Sequence, residues 1–543
     1  MRWLHSLAKL WRWLYSRALS PRRTRCRLPY PGRDGDAMTV HLVHAPDGAR
    51  HGFVPKKIVN FRLAQDAATL RHAGVETAIW NGQLRGQQID DAAFEAMTSK
   101  DLLVLPLLDG TACAPAIDWA LRAKAETGIR VVACGELATF ATQEILDMYP
   151  GIDVLIRGEE DIELCTLAQA ETLPRIVDAA PVDASHWVLP EESVWGRYAT
   201  FQSSRGCAYR CTFCSVNAFA DPHSARAAWR GIEAGRLAEW FEILAAQGVS
   251  CIELADADVL GTTKRGLARA AQLTSCGAAP LNLMAPTRAD TVVSYPALIE
   301  RMVGYGFTRW QIGVESADEA TLRRFRKNLL PATSLRAVDD LRRLGAQMRL
   351  EFIMFEPDST LDTLKANLML LGELRDRGIS IQRALFNRLR VGRWSPNTLR
   401  GLKADNRLRR NIFPLFDYVD RDVKVARVFD ACRLAHTTNL VRAEMLGLLL
   451  ERLTDVNVSR RSEIEKLQCR LDRALWKLCD DVVRSEGRED VAVPPAEVET
   501  WLCDAANMLR TWDLDACFPG THAWVGQVLG RSLDTVPDML TGV

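Results

Sequence analysis

The sequence has few cysteines for its length, almost no excess of charge and no long apolar run. Its 14 cysteines among 543 residues are too few for a disulfide scaffold of this size. Lys and Arg number 69 and Asp and Glu number 68, so the formal net charge is +1. This balance argues against a chain that binds nucleic acid over its whole surface. No stretch approaches the roughly 18 apolar residues of a transmembrane helix, so none is expected.

The composition that remains is that of a globular protein. Hydrophobic residues make up 48% of the chain and charged residues 25%, which excludes disorder, collagen and coiled coil. At roughly 100–200 residues per domain, the length predicts about three domains. The patterns described below divide the chain into five parts: an N-terminal segment 1–37, an α/β domain 38–170, a linker 171–197, a second α/β domain 198–395 and a helical region 396–543.

The first 27 residues are basic and amphipathic. They carry eight Lys and Arg and no acid, and Trp3, Leu7, Leu10 and Leu14 recur at helical spacing. Such a segment is typical of peripheral contact with a membrane surface. Two alternatives are an arm docked on its own protein and a translation start at Met38, which would remove the segment.

Residues 38–165 alternate predicted strands with predicted helices. This alternation predicts a doubly wound parallel sheet with helices on both faces. Ligands bind such sheets beyond the carboxyl ends of the strands. The candidate ligand loops are therefore 44–47, 108–111, 135–139 and 158–160.

A second series of strands and helices runs from about 200 to 390. Six strand candidates, at 198–202, 251–255, 281–285, 308–314, 349–355 and 380–386, predict a partial or full parallel barrel with its chemistry at the carboxyl ends of the strands. From about 400 onward the pattern is helical. We expect this region to cap the barrel mouth and to shape a substrate pocket.

The strongest local signal is a cysteine triplet in the first loop of the predicted barrel. Cys207, Cys211 and Cys214 have the spacing C-x3-C-x2-C, without a fourth cysteine nearby. Three thiolates on one short loop can hold three irons of a 4Fe-4S cluster and leave the fourth iron open. Zinc is the competing metal, but a structural zinc site needs four ligands, and the nearest other candidate is His223.

The triplet and the Arg-Gly that precedes it resemble the radical S-adenosylmethionine superfamily. The resemblance implies a 4Fe-4S cluster on the three cysteines, whose open iron takes the amino and carboxylate groups of S-adenosylmethionine. One-electron reduction, from a donor such as flavodoxin or ferredoxin, would then yield a 5′-deoxyadenosyl radical that abstracts hydrogen. Phe213 matches the aromatic position whose backbone in the family lies near the adenine.

Three further segments match the family in order along the barrel. They are 251–258 after the second strand, the Gly-x-Glu-Ser of 313–316 at the fourth, and 352–358 at the fifth. From these segments and the strand between them we expect cosubstrate contacts by Asp256, Arg288, Glu315 and Ser316. Glu315 could accept hydrogen bonds from the ammonium or ribose hydroxyl groups. The alternative for each charged residue is a carboxylate or guanidinium with no ligand.

Residues 38–165 resemble the cobalamin-binding domain that precedes the barrel in one large subgroup of this superfamily. The matching segments are 63–74, 134–139 and 152–160. The resemblance implies that cobalamin lies at the strand ends. The residues expected to contact it are Leu108, Asp109, Gly135, Thr139, Gly158 and Glu159. The lower-ligand motif Asp-x-His-x-x-Gly is absent, which is usual in this subgroup, and Cys134-Gly135 replaces an expected Gly-Gly pair.

The resemblance implies a cobalamin-dependent radical enzyme, and its leading reaction is methylation of an unactivated carbon in a small-molecule, lipid or peptide substrate. One alternative is cyclisation or rearrangement by a radical enzyme whose cobalamin domain is empty. Another is a non-enzymatic iron–sulfur or zinc protein. Thiolate ligands fit the reduced cytoplasm, where we expect the protein, with residues 1–27 on a membrane surface in one interpretation.

Overall fold

The computed structural model describes residues 38–44, 60–81, 91–107, 110–223, 228–412, 415–435, 438–456, 458–492, 496–518 and 521–529. The segment 1–37 and the residues Leu108 and Asp109 lie outside this part, so the predictions made for them are not addressed. Within the described ranges, none of the helices combines the length and hydrophobicity needed to cross a bilayer.

The N-terminal domain is a six-stranded sheet in which every neighbouring pair is parallel. Its strand order is β2-β1-β3-β4-β5-β6. The strands are β1 Thr39–His44, β2 Glu76–Asn81, β3 Leu102–Pro106, β4 Arg130–Cys134, β5 Val154–Arg157 and β6 Ile176–Asp178. The helices are α1 Phe61–His72, α2 Gly110–Thr127, α3 Gly135–Phe140, α4 Thr142–Met148 and α5 Asp161–Ala168.

Strand β3 explains why this sheet is covered on both faces. All five of its residues are buried, and their side chains alternate between two cores. Leu102 and Val104 pack in the core that contains side chains of α1 and α5. Leu103 and Leu105 pack in the core formed with α2, α3 and α4. The predicted doubly wound parallel sheet is therefore confirmed.

The second domain is built on a six-stranded sheet with the order β14-β13-β12-β11-β8-β7. Five strands are parallel neighbours, and β7 pairs antiparallel with β8 at the edge. The strands are β7 Val194–Trp195, β8 Tyr198–Phe201, the short β9 Ser204–Arg205 and β10 Arg230–Gly231, β11 Cys251–Leu254, β12 Asn282–Arg288, β13 Phe307–Glu315 and β14 Gln347–Phe352. The helices are α6 Val216–Ala220, α7 Ala234–Ala246, α8 Lys264–Leu273, α9 Ala289–Ser294, α10 Pro296–Tyr305, α11 Glu319–Arg324, α12 Pro331–Arg343, α13 Leu361–Asp376 and α14 Gln382–Leu385.

The partial barrel is confirmed, but the strand predicted at 380–386 is wrong. This stretch contains α14, and the sixth position of the barrel holds only an isolated parallel bridge between Phe355 and Arg388. The reason lies far along the chain. The carboxylate of Asp472 accepts hydrogen bonds from the backbone N–H groups of Ile381 and Gln382, each at 2.9 Å, and so caps the start of a helix.

The C-terminal region begins with a three-stranded antiparallel sheet of order β15-β17-β16 and continues as helices. Its elements are β15 Val391–Gly392, α15 Pro396–Ala404, β16 Leu408–Ile412, β17 Leu415–Tyr418, α16 Val423–Ala435, α17 Thr438–Val456, α18 Arg461–Arg484, α19 Ala496–Arg510, α20 Leu514–Cys517 and α21 Thr521–Leu529.

The expectation that the region from about 400 onward caps the barrel mouth is wrong for helix α17. Arg309, near the start of β13, donates to the carbonyl of Glu451 in α17 at 3.2 Å and pairs with Asp455 at 2.8 Å. Helix α17 therefore closes the amino end of the barrel. The portion from β15 to β17 lies at the mouth, where Leu399 and Leu402 of α15 share a cluster with Phe213 and the Trp394 indole N–H donates to the carbonyl of Phe213 at 3.1 Å.

Candidate functional site

The cysteine loop follows β8 and β9 and is held in shape by an asparagine. The side-chain amide oxygen of Asn217 accepts from the N–H of Cys207 at 3.0 Å, and its nitrogen donates to the carbonyls of Cys207 and Tyr209 at 2.9 and 2.8 Å. The Cys214 N–H donates to the Cys211 carbonyl at 3.2 Å. Sequence reasoning missed Asn217, although a polar residue three positions after the triplet could have suggested it.

The three thiols lie in one electrostatic environment. Burial, with a smaller contribution from the neighbouring Cys211, raises the pKa of Cys207 to about 11 and that of Cys214 to about 12. Burial also raises the pKa of Cys211, against the opposing charges of Lys327 and Arg288. Iron must therefore displace protons from these thiols, and the two cations would stabilise the resulting thiolates.

The donor set of the loop suits a cluster better than a single ion, because three thiols without a fourth ligand leave a structural zinc site incomplete. Among the described residues, no three or more His, Cys, Asp or Glu side chains are close enough together to hold one metal ion. A cuboidal cluster places each thiolate on a different iron, so its ligands lie further apart than those of one zinc. The donor set of three sulfurs therefore fits a 4Fe-4S cluster.

Asp256 anchors the backbone that leads into the cysteine loop. Its two carboxylate oxygens accept four hydrogen bonds, from the N–H and hydroxyl groups of Ser203 and Ser204, at 2.6 to 3.0 Å. The carboxylate is thus occupied by its own chain. Its predicted contact with the cosubstrate stays a prediction, and its visible role is to position β9 and the loop.

Asp258, two positions after Asp256, is a buried carboxylate of which only one oxygen is engaged by the described residues. Its side chain is 1% exposed, and one oxygen accepts from the Leu260 N–H and the Thr287 hydroxyl, each at 3.2 Å. Within the described part of the chain, its Oδ2 atom is buried without a hydrogen-bond partner. Burial raises its pKa to about 6. The charge of Asp258 also raises the pKa of Cys207, so this unpaired acceptor lies near the cysteine loop.

Arg288, at the end of β12, lies against the cysteine loop. Its predicted contact with the cosubstrate stays a prediction. Its guanidinium carbon is 3.7 Å from the centre of the Tyr209 ring, and Nη1 lies 3.9 Å from the Cys211 sulfur. Two further contacts, to Asp290 at 2.9 Å and to the Lys327 carbonyl at 2.5 Å, fix its orientation. Arg288 therefore presents a positive charge to the thiols.

Glu315 ends β13 in a strained conformation. Its φ of +68° lies in the left-handed region that non-glycine residues rarely adopt. Its carboxylate accepts from the Lys327 ammonium at 2.8 Å, and both side chains are buried. A Cβ on Gly313 would lie 2.5 Å from the Lys327 nitrogen, so the ion pair needs glycine beneath it. Ser316 faces away, since its hydroxyl donates to Asn367 at 3.0 Å.

Gly135 and Gly158 directly follow β4 and β5 and form the glycine edge of the N-terminal sheet. Thr139 links the two glycines. Its hydroxyl donates to the Gly135 carbonyl at 2.9 Å and accepts from the Gly158 N–H at 3.0 Å. Both glycines have positive φ, +89° and +93°. A Cβ on Gly158 would meet the Ala179 carbonyl at 2.9 Å, so the close approach of its own chain accounts for this glycine.

Two buried carboxyl groups beside this edge lack donors. Oδ2 of Asp66 and Oε1 of Glu160 have no hydrogen-bond partner among the described residues. Burial raises the pKa of Asp66 and raises that of Glu160 to about 7. Both charges act on the Cys134 thiol at the end of β4. A ligand that carries amide N–H groups could satisfy these oxygens, as cobalamin does with its side-chain amides.

Glu159 joins the two domains through buried ion pairs. Its carboxylate accepts from Arg230 at 2.7 and 2.9 Å, from Arg205 at 3.3 Å and from the Val182 N–H at 2.8 Å. Arg205 also donates to Asp161 at 2.7 and 2.8 Å. The predicted contact of Glu159 with a cofactor stays a prediction. Its carboxylate is already engaged by the barrel.

The cysteine loop touches the glycine edge directly. The Ser215 hydroxyl, next to Cys214, donates to Glu136 in α3 at 3.3 Å. Trp394 links Phe213 to the same domain, because its ring centre is 5.3 Å from that of Phe140. The cysteine loop and the glycine edge, where the two ligand sites are predicted, therefore lie side by side.

Comparison with known proteins agrees with this geometry. Residues 201–368 match the family model described as the Radical SAM superfamily. The fold is similar to that of the cobalamin-dependent S-adenosylmethionine radical enzyme OxsB, solved with aqua-cobalamin and S-adenosylmethionine bound, at a TM-score of 0.65 and 15% identity over 93% of this chain and 79% of that one. The radical S-adenosylmethionine methyltransferase TsrM from Kitasatospora setae gives a TM-score of 0.52 at 16% identity over 68% of this chain and 76% of that one.

Two curated proteins are related in sequence. The anaerobic magnesium-protoporphyrin IX monomethyl ester cyclase of Synechocystis sp. is 24% identical over 243 residues, which is 39% of this chain and 47% of the cyclase. An uncharacterized methyltransferase of Pyrococcus horikoshii is 25% identical over 268 residues, 44% of this chain and 56% of that protein. The matched regions thus span about half the length of these relatives.

Proposed function

We propose that this chain, whose residues 201–368 form a radical S-adenosylmethionine domain within the fold of a cobalamin-dependent radical enzyme, methylates an unactivated carbon of its substrate. The substrate would be a small molecule, a lipid or a peptide. One observation carries the proposal: the cysteine loop and the glycine edge meet through Ser215 and Glu136 and so share a cleft.

The chain's own residues would hold three cofactors. Cys207, Cys211 and Cys214 would bind the 4Fe-4S cluster, and the cluster, S-adenosylmethionine and cobalamin together would supply hydrogen abstraction and methyl delivery. Asp258 offers its unpaired buried oxygen to the ammonium group of S-adenosylmethionine. Gly135 and Thr139 would border cobalamin, with Asp66 and Glu160 accepting from its amides.

Charged residues prepare the cleft before any ligand binds. Arg288 lies beside the thiols, and Glu315 holds the Lys327 ammonium, a second positive charge, near Cys211. Asp256 keeps the loop in register with the barrel. Closure of the cleft by both domains would exclude water and oxygen from the reacting carbon.

A cyclisation or rearrangement is the second candidate reaction. The observation in its favour is the 24% identity to the magnesium-protoporphyrin cyclase, which resembles this chain over 243 residues. In this version the N-terminal domain could be an empty scaffold. We further propose a one-electron donor such as flavodoxin or ferredoxin and a cytoplasmic location, with contact between residues 1–27 and a membrane surface as an additional hypothesis.

The experiment is anaerobic reconstitution with iron, sulfide and hydroxocobalamin, followed by gel filtration. We expect the wild-type chain to retain both iron and cobalamin absorption and to release 5′-deoxyadenosine from S-adenosylmethionine under dithionite. Cys211→Ala should lose cleavage of the cosubstrate, while Cys276→Ala, an exposed cysteine outside the site, should keep it. Cleavage without retained cobalamin would favour the empty scaffold, and no cleavage at all would refute the proposal.

A further inference from the structure

The inside of the barrel is polar, although barrels of this kind are usually filled by branched apolar side chains. Along β13, Trp310, Ile312 and Val314 pack outward in the apolar core. Because strand side chains alternate, Arg309 and Gln311 point to the opposite face, the lumen. Lumen-facing residues of the neighbouring strands include Thr200, Glu253, Arg349 and Glu351.

Several of these side chains keep exposed surface even though they lie on central strands. Thr200, Glu253, Gln311 and Glu351 are only half-buried. Side chains that lie inside the barrel and still have solvent-accessible surface must face an internal space. The lumen is therefore a cavity that begins at the cysteine loop.

The floor of this cavity is closed by matched charges. Arg349 donates to Glu253 at 2.9 Å and to Glu451 of α17 at 2.6 Å. Arg309 pairs with Asp455 at 2.8 Å. Burial opposes the ionisation of Glu451, but Arg349, Arg383 and Arg309 hold its pKa well below its usual range. These floor residues form ion pairs with one another, and Oδ2 of Asp455 accepts no hydrogen bond from the described part of the chain.

Arg383, on α14, is different. Its nearest carboxylate is that of Glu451, at 3.7 Å, a distance too long for a hydrogen bond, and the structure gives its guanidinium no hydrogen bond among the described residues. Its side chain is 40% exposed. Glu451 also accepts from Arg349 of the lumen at 2.6 Å, so the Arg383 guanidinium lies beside the floor of the cavity. The charges that act on it, Glu451, Arg349, Glu351 and Arg452, line the lumen or its floor.

From this arrangement we propose that the barrel cavity takes a substrate with an anionic group, a carboxylate or a phosphate, which is bound by Arg383. A guanidinium has five N–H donors and no acceptor, and its fork matches both kinds of anion. Glu451 is shared among three arginines, and the nearby Glu351 accepts from Gln311, so Arg383 keeps N–H donors that no described acceptor uses. This inference rests on the proposed function only in naming the ligand of that cavity as the substrate.

The test measures thermal stabilisation of the full chain by inorganic phosphate and by succinate, each against NaCl of equal ionic strength. A ligand that binds the folded state raises the midpoint in a saturable way. We expect such stabilisation by at least one of the two anions in the wild type. Arg383→Gln should weaken the apparent affinity roughly tenfold or more, because charge-assisted hydrogen bonds are lost, and Arg383→Lys should lose less.

Arg336→Gln is the matched control, since Arg336 is an exposed arginine on α12 that lies outside the lumen. It should bind the anions like the wild type. Equal anion affinity in Arg383→Gln and wild type, or no saturable effect of either anion on the wild type, would overturn the inference. Cluster content and 5′-deoxyadenosine release are measured on the same samples. A preparation that cleaves S-adenosylmethionine but ignores both anions refutes only the anion site, and the reverse result refutes only the proposed function.

Discussion

At the scale of single residues, Asp256 and Asp258 differ in their contacts beside the cysteine triplet. The triplet is a local pattern, so spacing alone identifies it. Asp256 and Asp258 are two positions apart, and only the fold shows that four donors occupy one and that an oxygen of the other is free. Asn217 was missed for the same reason, because its partners are backbone atoms.

This difference leads to a prediction about the two aspartates. Asp258→Asn removes the negative charge that faces the site, so we expect binding of S-adenosylmethionine to weaken by roughly tenfold or more while iron content stays normal. Asp256→Ala leaves four donors of Ser203 and Ser204 without an acceptor and should lower iron content itself. Iron analysis and equilibrium dialysis with labelled cosubstrate measure both. Equal effects of the two substitutions on iron would contradict the assignment.

At the scale of elements, the alternating patterns predicted both sheets. The strand predicted at 380–386 is a helix instead, because Asp472 caps it. The apolar run of β3 reads as a strand buried on both faces, which it is. Residues 380–386 mix apolar residues with Ser380, Gln382 and Arg383, but Asp472 from α18 caps a helix there, and no local pattern reveals a carboxylate about 90 residues away. The closure of the barrel floor by α17 is equally non-local.

The paired floor of the barrel predicts an acid dependence of stability. Burial opposes ionisation of Glu253, yet Arg349 and Arg452 hold its pKa at about 2, below the ordinary value of 4.5. A depressed carboxyl pKa contributes stability above the unfolded value, and this contribution is lost as the pH falls from about 4.5 towards 2. We expect a loss of up to roughly 3 kcal/mol over that window, at 1.36 kcal/mol per pKa unit.

Urea unfolding monitored by tryptophan fluorescence measures this dependence. Glu253→Gln is the informative variant, because it should be less stable than the wild type at pH 6 and should approach it near pH 2.5. Glu319→Gln, whose partner Arg323 is exposed, serves as the control and should follow the wild type at every pH. A difference between Glu253→Gln and wild type that does not shrink on acidification would show that Glu253 contributes no ionic stability.

At the scale of the whole molecule, the order of domains followed from the sequence and their mutual placement did not. The alternation of strands and helices predicts two α/β units, but nothing in the pattern predicts that Glu159 of one would accept hydrogen bonds from Arg205 and Arg230 of the other. Glu159 was instead expected to touch a cofactor. The buried ion pairs explain how the glycine edge is held over the cysteine loop.

We therefore predict that Glu159→Gln separates the two sites without damaging either. Removing the charge of Glu159 leaves Arg230 without its carboxylate partner, while Arg205 keeps Asp161, and breaking such a buried pair costs roughly 3–5 kcal/mol. Iron content should stay near that of the wild type, whereas retained cobalamin should fall several-fold. Glu373→Gln, on the exposed face of α13, should retain both cofactors. Loss of both iron and cobalamin in Glu159→Gln would indicate general unfolding and would contradict a loss confined to the interface between the two domains.

The central claim is that an iron–sulfur cluster and cobalamin share one cleft, and magnetic coupling between them tests it most directly. The reconstituted protein is reduced so that both the cluster and the cobalt are paramagnetic, and the spin relaxation of the cobalt signal is measured by electron paramagnetic resonance. We predict faster relaxation of the cobalt signal in the wild type than in Cys211→Ala loaded with cobalamin alone. Two signals that superimpose without any mutual effect would contradict the account.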